Sequence, residues 1–218
     1  MIQAEFTRGG KPLFVGTTYA GTIGLSTGMS LRSKPTDAPW AFSINARKSF
    51  GGLADAVAAA RAGGSVFPVL PRLVMEAAAT NATLARTMLS AEPLILPGYL
   101  IFAGSTRSDG AVITRNASGA EVWNLDPPLG GGGGGGGGDG DGWFRVETNY
   151  DHWKSVPSSD DRRAPADAAM RSLDAQPTFE GLWKVLNTHP VYNVNTIHTD
   201  LAFPADGEYR SFARVYPS

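Results

Sequence analysis

The chain has 218 residues, of which 42% are hydrophobic and 18% are charged, and its formal net charge is −1. This composition is ordinary for a globular chain that buries a sizeable core, and without a basic stripe it argues against nucleic-acid binding. The chain contains no cysteine, which excludes disulfides, thiolate metal sites and catalysis by a cysteine within these residues.

The first residues, MIQAEFTRGG, lack the basic stretch and apolar run of a signal peptide. No stretch approaches the roughly 18 apolar residues that a membrane span needs. Because the opening residues already have the pattern of a strand, we interpret the chain as beginning inside a domain. We expect residues 1–218 to form a single domain.

The first part of the chain is predicted to form a hairpin, a glycine-rich connection and a further strand. Loose apolar–polar alternation in residues 2–8 and 11–20 indicates two strands that turn at Gly9-Gly10. Residues 16–28 are rich in glycine, which favours close backbone approach over a helix. A short strand is expected at residues 41–45.

Three helices are expected next. One covers residues 52–62, a second opens at Pro71, and a third begins near Asn81 and ends at Pro93. Apolar residues at helical spacing are expected to face the core, namely Leu53, Ala56, Val57, Ala60, Leu73, Val74, Ala77, Leu84, Met88 and Leu89.

Apolar runs at residues 99–104, 111–115 and 121–125 are typical of sheet strands, with a hairpin turn at Asp109-Gly110. The glycine-rich stretch at about 130–142 cannot bury apolar surface, so we predict a disordered loop there.

Residues 143–149 are predicted to be the returning strand after this loop, with alternate residues on one face. Residues 160–173 are predicted to be helical, and Thr178 is predicted to cap a further helix. Two final strands, at 195–203 and 208–215, would be joined at Asp206-Gly207. This order of strands and helices predicts an α+β fold with sheet and helix layers.

The string WFRVETNYDHWKSVPSSDDRR at residues 143–163 is compositionally unusual. It resembles the signature of the family of N-acylethanolamine acid amidases and acid ceramidases, the former more closely. Further matches in the family's order are GTTYAGTIGLSTG from Gly16, AGSTRSDGAVITRN from Ala103 and PVYNVNTIHT from Pro190. The resemblance implies an N-terminal nucleophile hydrolase fold, an αββα sandwich, truncated here at its N-terminus.

The resemblance also implies a reaction. In this family a precursor cuts itself and exposes a cysteine whose thiol attacks an amide carbonyl, with its own α-amine as the base. The expected substrate is a fatty-acyl amide, either an N-acylethanolamine, cleaved to fatty acid and ethanolamine, or, alternatively, a ceramide. The family implies no cofactor and no metal, a propeptide subunit as partner, and a lysosomal or other acidic compartment. The apolar stretch 65–75 suggests contact with a membrane surface or an acyl pocket, or simply a core helix.

Five residues of the motif are candidates for the site. Asn149 falls where the family has its oxyanion-hole asparagine, although an asparagine after a strand also caps turns. Arg162 aligns with an arginine of the family's active-site network, although an Asp-Asp-Arg-Arg run more often forms surface ion pairs. Tyr150, Trp153 and Asp161 are expected to shape the substrate-binding site.

The chain also departs from the family. The cysteine, and an arginine and an aspartate shortly after it, are expected upstream of residue 1, and Ala46 stands where the family has a glutamate. Two hypotheses follow: a fragment of an active amidase, or a non-catalytic protein that binds lipid amides. Neither the three histidines nor any Ser-His-Asp arrangement supplies a substitute nucleophile. We expect the isolated chain to be poorly stable, because missing strands would expose sheet edges.

Overall fold

The structure, a computed structural model, describes residues 1–48, 52–117, 119–125 and 142–215. The predicted disordered loop at about 130–142 therefore lies almost wholly outside the described residues. The strands are β1 (Ile2–Arg8), β2 (Lys11–Thr18), β3 (Thr27–Ser30), β4 (Trp40–Ala46), β5 (Gly98–Gly104), β6 (Gly110–Arg115), β7 (Ala120–Asn124), β8 (His198–Phe203) and β9 (Glu208–Ala213). The helices are α1 (Leu53–Arg61), α2 (Val69–Ala78), α3 (Ala82–Ala91), α4 (Arg163–Arg171) and α5 (Phe179–Asn187).

Strands β1 to β7 form one antiparallel sheet in which each strand pairs with its neighbour in sequence. The predicted first hairpin is confirmed, and its turn uses the positive φ angles of Gly9 (59°) and Gly10 (76°), which glycine adopts without steric cost. The glycine-rich connection is also extended rather than helical. A Cβ on Gly24 would lie 2.5 Å from Pro68, which confirms the expected close backbone approach.

Helices α2 and α3 cover one face of this sheet and form the main core with it. Trp40 is fully buried there, stacks on Phe102 with ring centroids 5.5 Å apart, and donates its indole N–H to the carbonyl oxygen of Ala78 at 2.9 Å. This bond satisfies the one polar group that the buried indole carries. Strand β4, which begins at Trp40 and ends beside the site, is thereby fixed to the helical layer.

The hairpin β8–β9 packs on the opposite face of the large sheet. Met29 and Ala41 of the large sheet contact Ala202 and Tyr209 of the hairpin. Helix α5 covers the outer side of the hairpin, where Trp183 packs against Phe212 with ring centroids 4.7 Å apart. The order of layers is therefore helix, sheet, sheet, helix, and the predicted α+β sandwich is confirmed.

The predicted inward faces of the first three helices are partly wrong. Leu53 is 82% exposed, and Val57, Leu73 and Leu84 are also exposed, whereas Ala59 is the residue of α1 that is buried. In α2 and α3 the predicted burial of Val74 and Leu89 is confirmed. Leu70, Met75 and Ala85 are also buried there, although they were not among the predicted inward residues. Alanine and leucine occur all round these helices, so spacing alone did not fix the buried face.

The predicted strand at residues 143–149 is also wrong. In the described part, residues 144–148 run without strand pairing, and side chains rather than a ladder hold them in place. The β5–β6 hairpin turns at residues 107–108, just before the predicted Asp109-Gly110. Among the described residues no helix is long and apolar enough to cross a membrane.

Candidate active site

The end of β4 and the segment 147–149 meet at the site through side-chain bonds to backbone oxygens. Asn45 donates its amide to the carbonyl oxygen of Thr148 at 2.8 Å and to that of Glu147 at 3.3 Å. Asn149 donates its own amide in the other direction, to the carbonyl oxygen of Ala46 at 2.8 Å. These reciprocal bonds take the place of the strand ladder that the alternation in sequence suggests. Position 46 contributes through its backbone carbonyl, because the side chain of alanine has no polar atom.

Asn149 and Arg162 lie in direct contact. A guanidinium nitrogen of Arg162 donates to the side-chain oxygen of Asn149 at 2.6 Å. Asp160 holds the same guanidinium with both carboxylate oxygens, at 2.8 Å from Nε and 2.7 Å from the terminal nitrogen. Asp160 also accepts from the backbone N–H of Asn149 at 3.2 Å. The structure therefore brings together the two residues that the sequence proposed as catalytic, and adds Asp160 as their shared partner.

The orientation of the Asn149 amide follows from its partners. Arginine can only donate, so the atom facing Arg162 must be Oδ1. The Ala46 carbonyl can only accept, so the atom facing it must be Nδ2. One N–H of Nδ2 is used by Ala46, and the second has no acceptor among the residues that the structure describes. A fixed amide with one unused N–H is the donor that an oxyanion site requires.

Charge is tightly compensated around this amide. Burial alone would raise the pKa of Asp160, but hydrogen bonds from the Arg162 guanidinium and from backbone N–H groups lower the pKa below its usual value. The hydrogen bond to Asp160 raises the pKa of Arg162 in turn. Asp160 is 2% exposed and Arg162 is 30% exposed, so the carboxylate is internal and the cation reaches the surface of the site. Both shifts favour the ionised forms of the two groups.

A second charged cluster anchors the turn that follows Asn149. The Asp151 carboxylate, 2% exposed, accepts from Arg47 at 2.7 and 3.0 Å, from the Tyr99 hydroxyl at 2.7 Å and from Lys154 at 2.8 Å. Burial opposes ionisation, but these bonds lower the pKa of Asp151 well below its usual value, and burial with the bond to Asp151 raises the pKa of Tyr99. The partners of the Asp151 carboxylate are all side chains, which come from separate parts of the chain.

Glu147 and Arg163 form a third, internal pair behind the site, with Arg163 NH2 3.5 Å from Glu147 Oε2. Burial raises the pKa of Glu147 to about 7, against the opposing charge of Arg163. The Arg163 guanidinium also lies 3.7 Å from the centroid of the Tyr150 ring and donates to the Tyr150 carbonyl at 2.6 Å. The surface ion pair that is usual for an Asp-Asp-Arg-Arg run is therefore wrong for Arg163, which is buried between Glu147 and Tyr150.

The three residues proposed for substrate binding have different positions. Tyr150 is buried under Arg163, directly after Asn149. Trp153 is 47% exposed and meets the ring of His152 edge-on with centroids 4.8 Å apart. Asp161 is exposed and contributes its negative charge to the surroundings of Arg162. Their part in substrate binding stays a prediction.

An open cavity of about 430 Å³ lies beside Arg162, between the end of β4 and the start of β8. Arg162 and Asn45 form part of its wall, together with residues of α5, of β8 and of the segment between them. Most lining side chains carry a hydroxyl, an amide or a charge. A ligand in this cavity would therefore contact the same arginine that orients Asn149.

The sequence indicates Asp160 only as a member of the Asp-Asp-Arg-Arg run beside Arg162, and it does not indicate Asn45, Arg47 or Tyr99 as site residues. Asn45 and Arg47 lie 103 and 104 residues from their motif partners in sequence and Tyr99 lies 52 residues away, so no local pattern indicates them. Within the described residues there is no cluster of three or more histidine, aspartate or glutamate side chains suited to a metal ion.

The fold and the site define a class. The αββα layers are those of an N-terminal nucleophile hydrolase, and Asn149 and Arg162 meet beside the end of its strand β4. The solved Caenorhabditis elegans N-acylethanolamine-hydrolyzing acid amidase ortholog superposes with a TM-score of 0.72 and 31% identity, over 94% of this chain and 80% of that chain. The chain belongs to the family of N-acylethanolamine-hydrolyzing acid amidases, as its motif predicted.

Curated relatives agree with this assignment. The chain is 37% identical over 212 residues to the N-acylethanolamine-hydrolyzing acid amidase of Rattus norvegicus, covering 94% of this chain and 52% of that protein. It is 29% identical over 223 residues to the acid ceramidase of Homo sapiens, covering 99% of this chain and 51% of that protein. The chain thus spans about half the length of the curated relatives it matches. No family model matches it.

Proposed function

We propose that this chain carries the oxyanion-binding part of a fatty-acid amide hydrolase. The observation that carries the proposal is the Asn149 amide, fixed at both ends by Arg162 and Ala46 with one N–H unused. During attack on an amide, the carbonyl oxygen gains negative charge that it does not have in the substrate. A donor already aimed at that position stabilises the transition state more than the ground state, and is worth about 10²- to 10³-fold in rate.

The remaining chemistry follows that of a cysteine amidase. A thiolate sulfur forms a bond to the carbonyl carbon, and the electron pair of the carbonyl moves onto oxygen, where Asn149 binds it. Collapse of this intermediate breaks the carbon–nitrogen bond, and the departing amine takes the proton that the α-amine received from the thiol. Water then cleaves the thioester and releases the fatty acid. Arg162 acts in this scheme through Asn149, by holding its oxygen and so presenting its N–H.

N-acylethanolamines are the substrates that we favour over ceramides. The support is sequence similarity: identities to N-acylethanolamine-hydrolyzing acid amidases are 36–37%, and identities to acid ceramidases are 28–30%. Both groups of relatives act on amides of fatty acids, as their names state. Hydrolysis of a ceramide to sphingosine and fatty acid is the alternative.

The source of the nucleophile separates two candidate functions. None of the 218 residues is a cysteine, so the proposed thiol must come from a segment outside them. The second candidate, a protein that binds lipid amides without turnover, is favoured by this same absence and by Ala46 in place of the family's glutamate. Both candidates use Asn149 and Arg162 to bind the carbonyl, and they differ in whether a bond is broken.

The test compares two proteins. The 218-residue chain and the product of the complete reading frame are assayed with an N-acylethanolamine and with a ceramide of equal acyl length. We expect hydrolysis by the complete product alone, faster with the N-acylethanolamine, and a loss of about 10²- to 10³-fold in kcat for Asn149→Ala. Binding of amide without hydrolysis by the complete product would support the non-catalytic function. If the complete product neither binds nor hydrolyses either amide, both candidate functions are overturned.

The setting of this activity is part of the proposal. We propose an acidic, lysosomal compartment, a propeptide subunit that accompanies the catalytic part, and contact with a membrane surface during substrate uptake. The exposed apolar side chains Leu53, Val57 and Leu73 support the last point. Flotation of the complete product with anionic vesicles, compared with its Leu53→Glu and Leu73→Glu variants, tests it.

A further inference from the structure

The end of β4 is bonded to the segment that contains Asn149 on both sides of this residue. Before it, Asn45 donates to the carbonyl oxygen of Thr148 at 2.8 Å. After it, Arg47 donates to the carboxylate of Asp151. No backbone-to-backbone hydrogen bond joins these two stretches, both of which lie in the described part of the chain. Side chains therefore set the distance between the end of β4 and the oxyanion donor.

Arg47 holds Asp151 through two parallel bonds. Its Nε atom lies 2.7 Å from Oδ1, and its terminal nitrogen lies 3.0 Å from Oδ2. Both side chains are shielded from solvent, with 13% of Arg47 and 2% of Asp151 exposed. A planar guanidinium that meets a carboxylate through two bonds fixes the direction of the contact as well as its length, and shielding from water strengthens it.

Tyr99 of β5 binds the same carboxylate from the neighbouring strand. It faces Asn45 in the β4–β5 ladder and donates its hydroxyl to Oδ1 of Asp151 at 2.7 Å. Tyr99 is buried, and the β4–β5 ladder to which it belongs continues from Ala46 to Trp40. The carboxylate two residues after Asn149 is therefore attached to two paired strands of the large sheet.

We propose that Arg47 is a positioning residue for the oxyanion donor, and that it acts through Asp151 on Asn149. This inference rests on the proposed function, because it concerns the direction of the unused N–H of Asn149. That direction depends on the position of the Asn149 backbone relative to the Ala46 carbonyl. Arg47 is the next residue after Ala46, and Asp151 lies two residues after Asn149, so their bond holds both groups in register. A displacement of about 1 Å in such a group costs up to about 10²-fold in rate.

A double-mutant cycle in the product of the complete reading frame tests this role. Arg47→Lys keeps the charge but cannot make both bonds to Asp151 in the same geometry. We expect kcat for an N-acylethanolamine to fall about tenfold, with KM little changed. In an Asn149→Ala background the same change should lower kcat by less than about twofold, because no donor is left to position. Arg72→Lys, at an arginine of α2 that pairs with Glu76, is the matched control and should leave kcat unchanged.

Tyr99→Phe covers the case that Arg47→Lys does not fold, because it removes one hydroxyl and keeps the buried ring. We expect it to lower kcat about threefold, the effect of one hydrogen bond, and again only where Asn149 is present. Equal losses of kcat with and without Asn149 would indicate a general structural effect and overturn the inference.

A second measurement does not require activity. The side-chain amide of Asn149 has one N–H bonded to the Ala46 carbonyl, so its two protons give distinct resonances. We expect Arg47→Lys to shift these resonances towards those of a solvent-exposed amide, whereas those of Asn187, which donates to the Trp183 carbonyl at 2.6 Å, stay in place. Unchanged Asn149 resonances overturn the inference. If they shift but the unmodified product hydrolyses no amide, the proposed function fails and the positioning of Asn149 by Arg47 stands.

Discussion

Arg162 donates to the side-chain oxygen of Asn149 at 2.6 Å while Asp160 holds the other edge of the same guanidinium. The arginine therefore works as a rigid connector between a buried carboxylate and a neutral amide. A substitution of either Asn149 or Asp160 would therefore change the position of Arg162 and, through it, the environment of the other residue. This relationship makes the geometry of Asn149 sensitive to changes at residues that do not touch the substrate.

The first prediction concerns this connector. Arg162→Lys keeps the charge but replaces a planar fork by a single ammonium, which cannot bond both oxygens of Asp160 and Oδ1 of Asn149 in the same geometry. We expect kcat of the complete enzyme to fall about tenfold or more, with KM little changed, because the loss falls on the transition state. Arg171→Lys, on the exposed part of α4, is the control. A variant with unchanged kcat would remove Arg162 from the mechanism.

The second prediction concerns Asp160. Asp160→Asn weakens the charge-assisted bonds to Arg162 and leaves this cation without its internal partner. We expect the free energy of unfolding to fall by about 1.5–3 kcal/mol, the range for hydrogen bonds to charged groups. Urea denaturation at neutral pH measures it. The adjacent and exposed Asp161, changed to asparagine, should show no measurable effect.

A third prediction follows from the internal position of Glu147. Its pKa is raised by burial from 4.5 to about 7, so between these pH values the native state keeps a proton that the unfolded state has lost. The contribution of Glu147 to the free energy of unfolding is therefore fully present below about pH 4.5. It decreases by up to about 3 kcal/mol as the pH rises to about 7.

Unfolding by urea at a series of pH values from 4.5 to 8 measures this effect. Glu147→Gln should flatten the curve over this window, whereas Glu5→Gln, at an exposed position of β1, should leave it as it is. A wild-type chain that becomes more stable between pH 5 and 7 would contradict the expected sign.

The fourth prediction concerns Gly98, which faces Ala46 across the β4–β5 ladder. A Cβ at Gly98 would lie 2.3 Å from the ring of Phe67, which is buried in the main core. We expect Gly98→Ala to cost about 1–3 kcal/mol by overpacking. Gly119→Ala, whose Cβ would meet nothing within 4 Å, is the matched control. Thermal melts of both variants give the comparison, and equal melting temperatures would refute it.

Local signals in the sequence predicted the hairpins and caps well. The turn at Gly9-Gly10 and the cap at Thr178, which accepts from the N–H of Gly181 at 3.1 Å, both depend on one or two residues. The segment at residues 144–148 could not be predicted in this way. Its alternation is typical of a strand, but its backbone partners are the side chains of a distant strand, such as Asn45.

The motif also located Asn149 and Arg162 without showing why they work together. They are thirteen positions apart in sequence, and their contact depends on a segment that folds back through Asp160. Arg163, the next residue, lies in the same local sequence, but its side chain points inward to Glu147. The register of α4 decides which arginine faces the site, and the sequence contains no local signal for that register.

The sequential order of the seven-stranded sheet has a consequence for the order of folding. Each of its strands pairs with the next strand in the chain, and the widest of these pairings, β4 with β5, begins at Ala46 and Gly98, whereas the bonds Asn45 to Thr148 and Asn149 to Ala46 each close a separation of 103 residues. Closing long separations is entropically unfavourable and is compensated only when the far segment docks. The site should therefore assemble after the sheet and open before it, so that amide protons of residues 147–149 exchange with solvent sooner than those of β4 to β6.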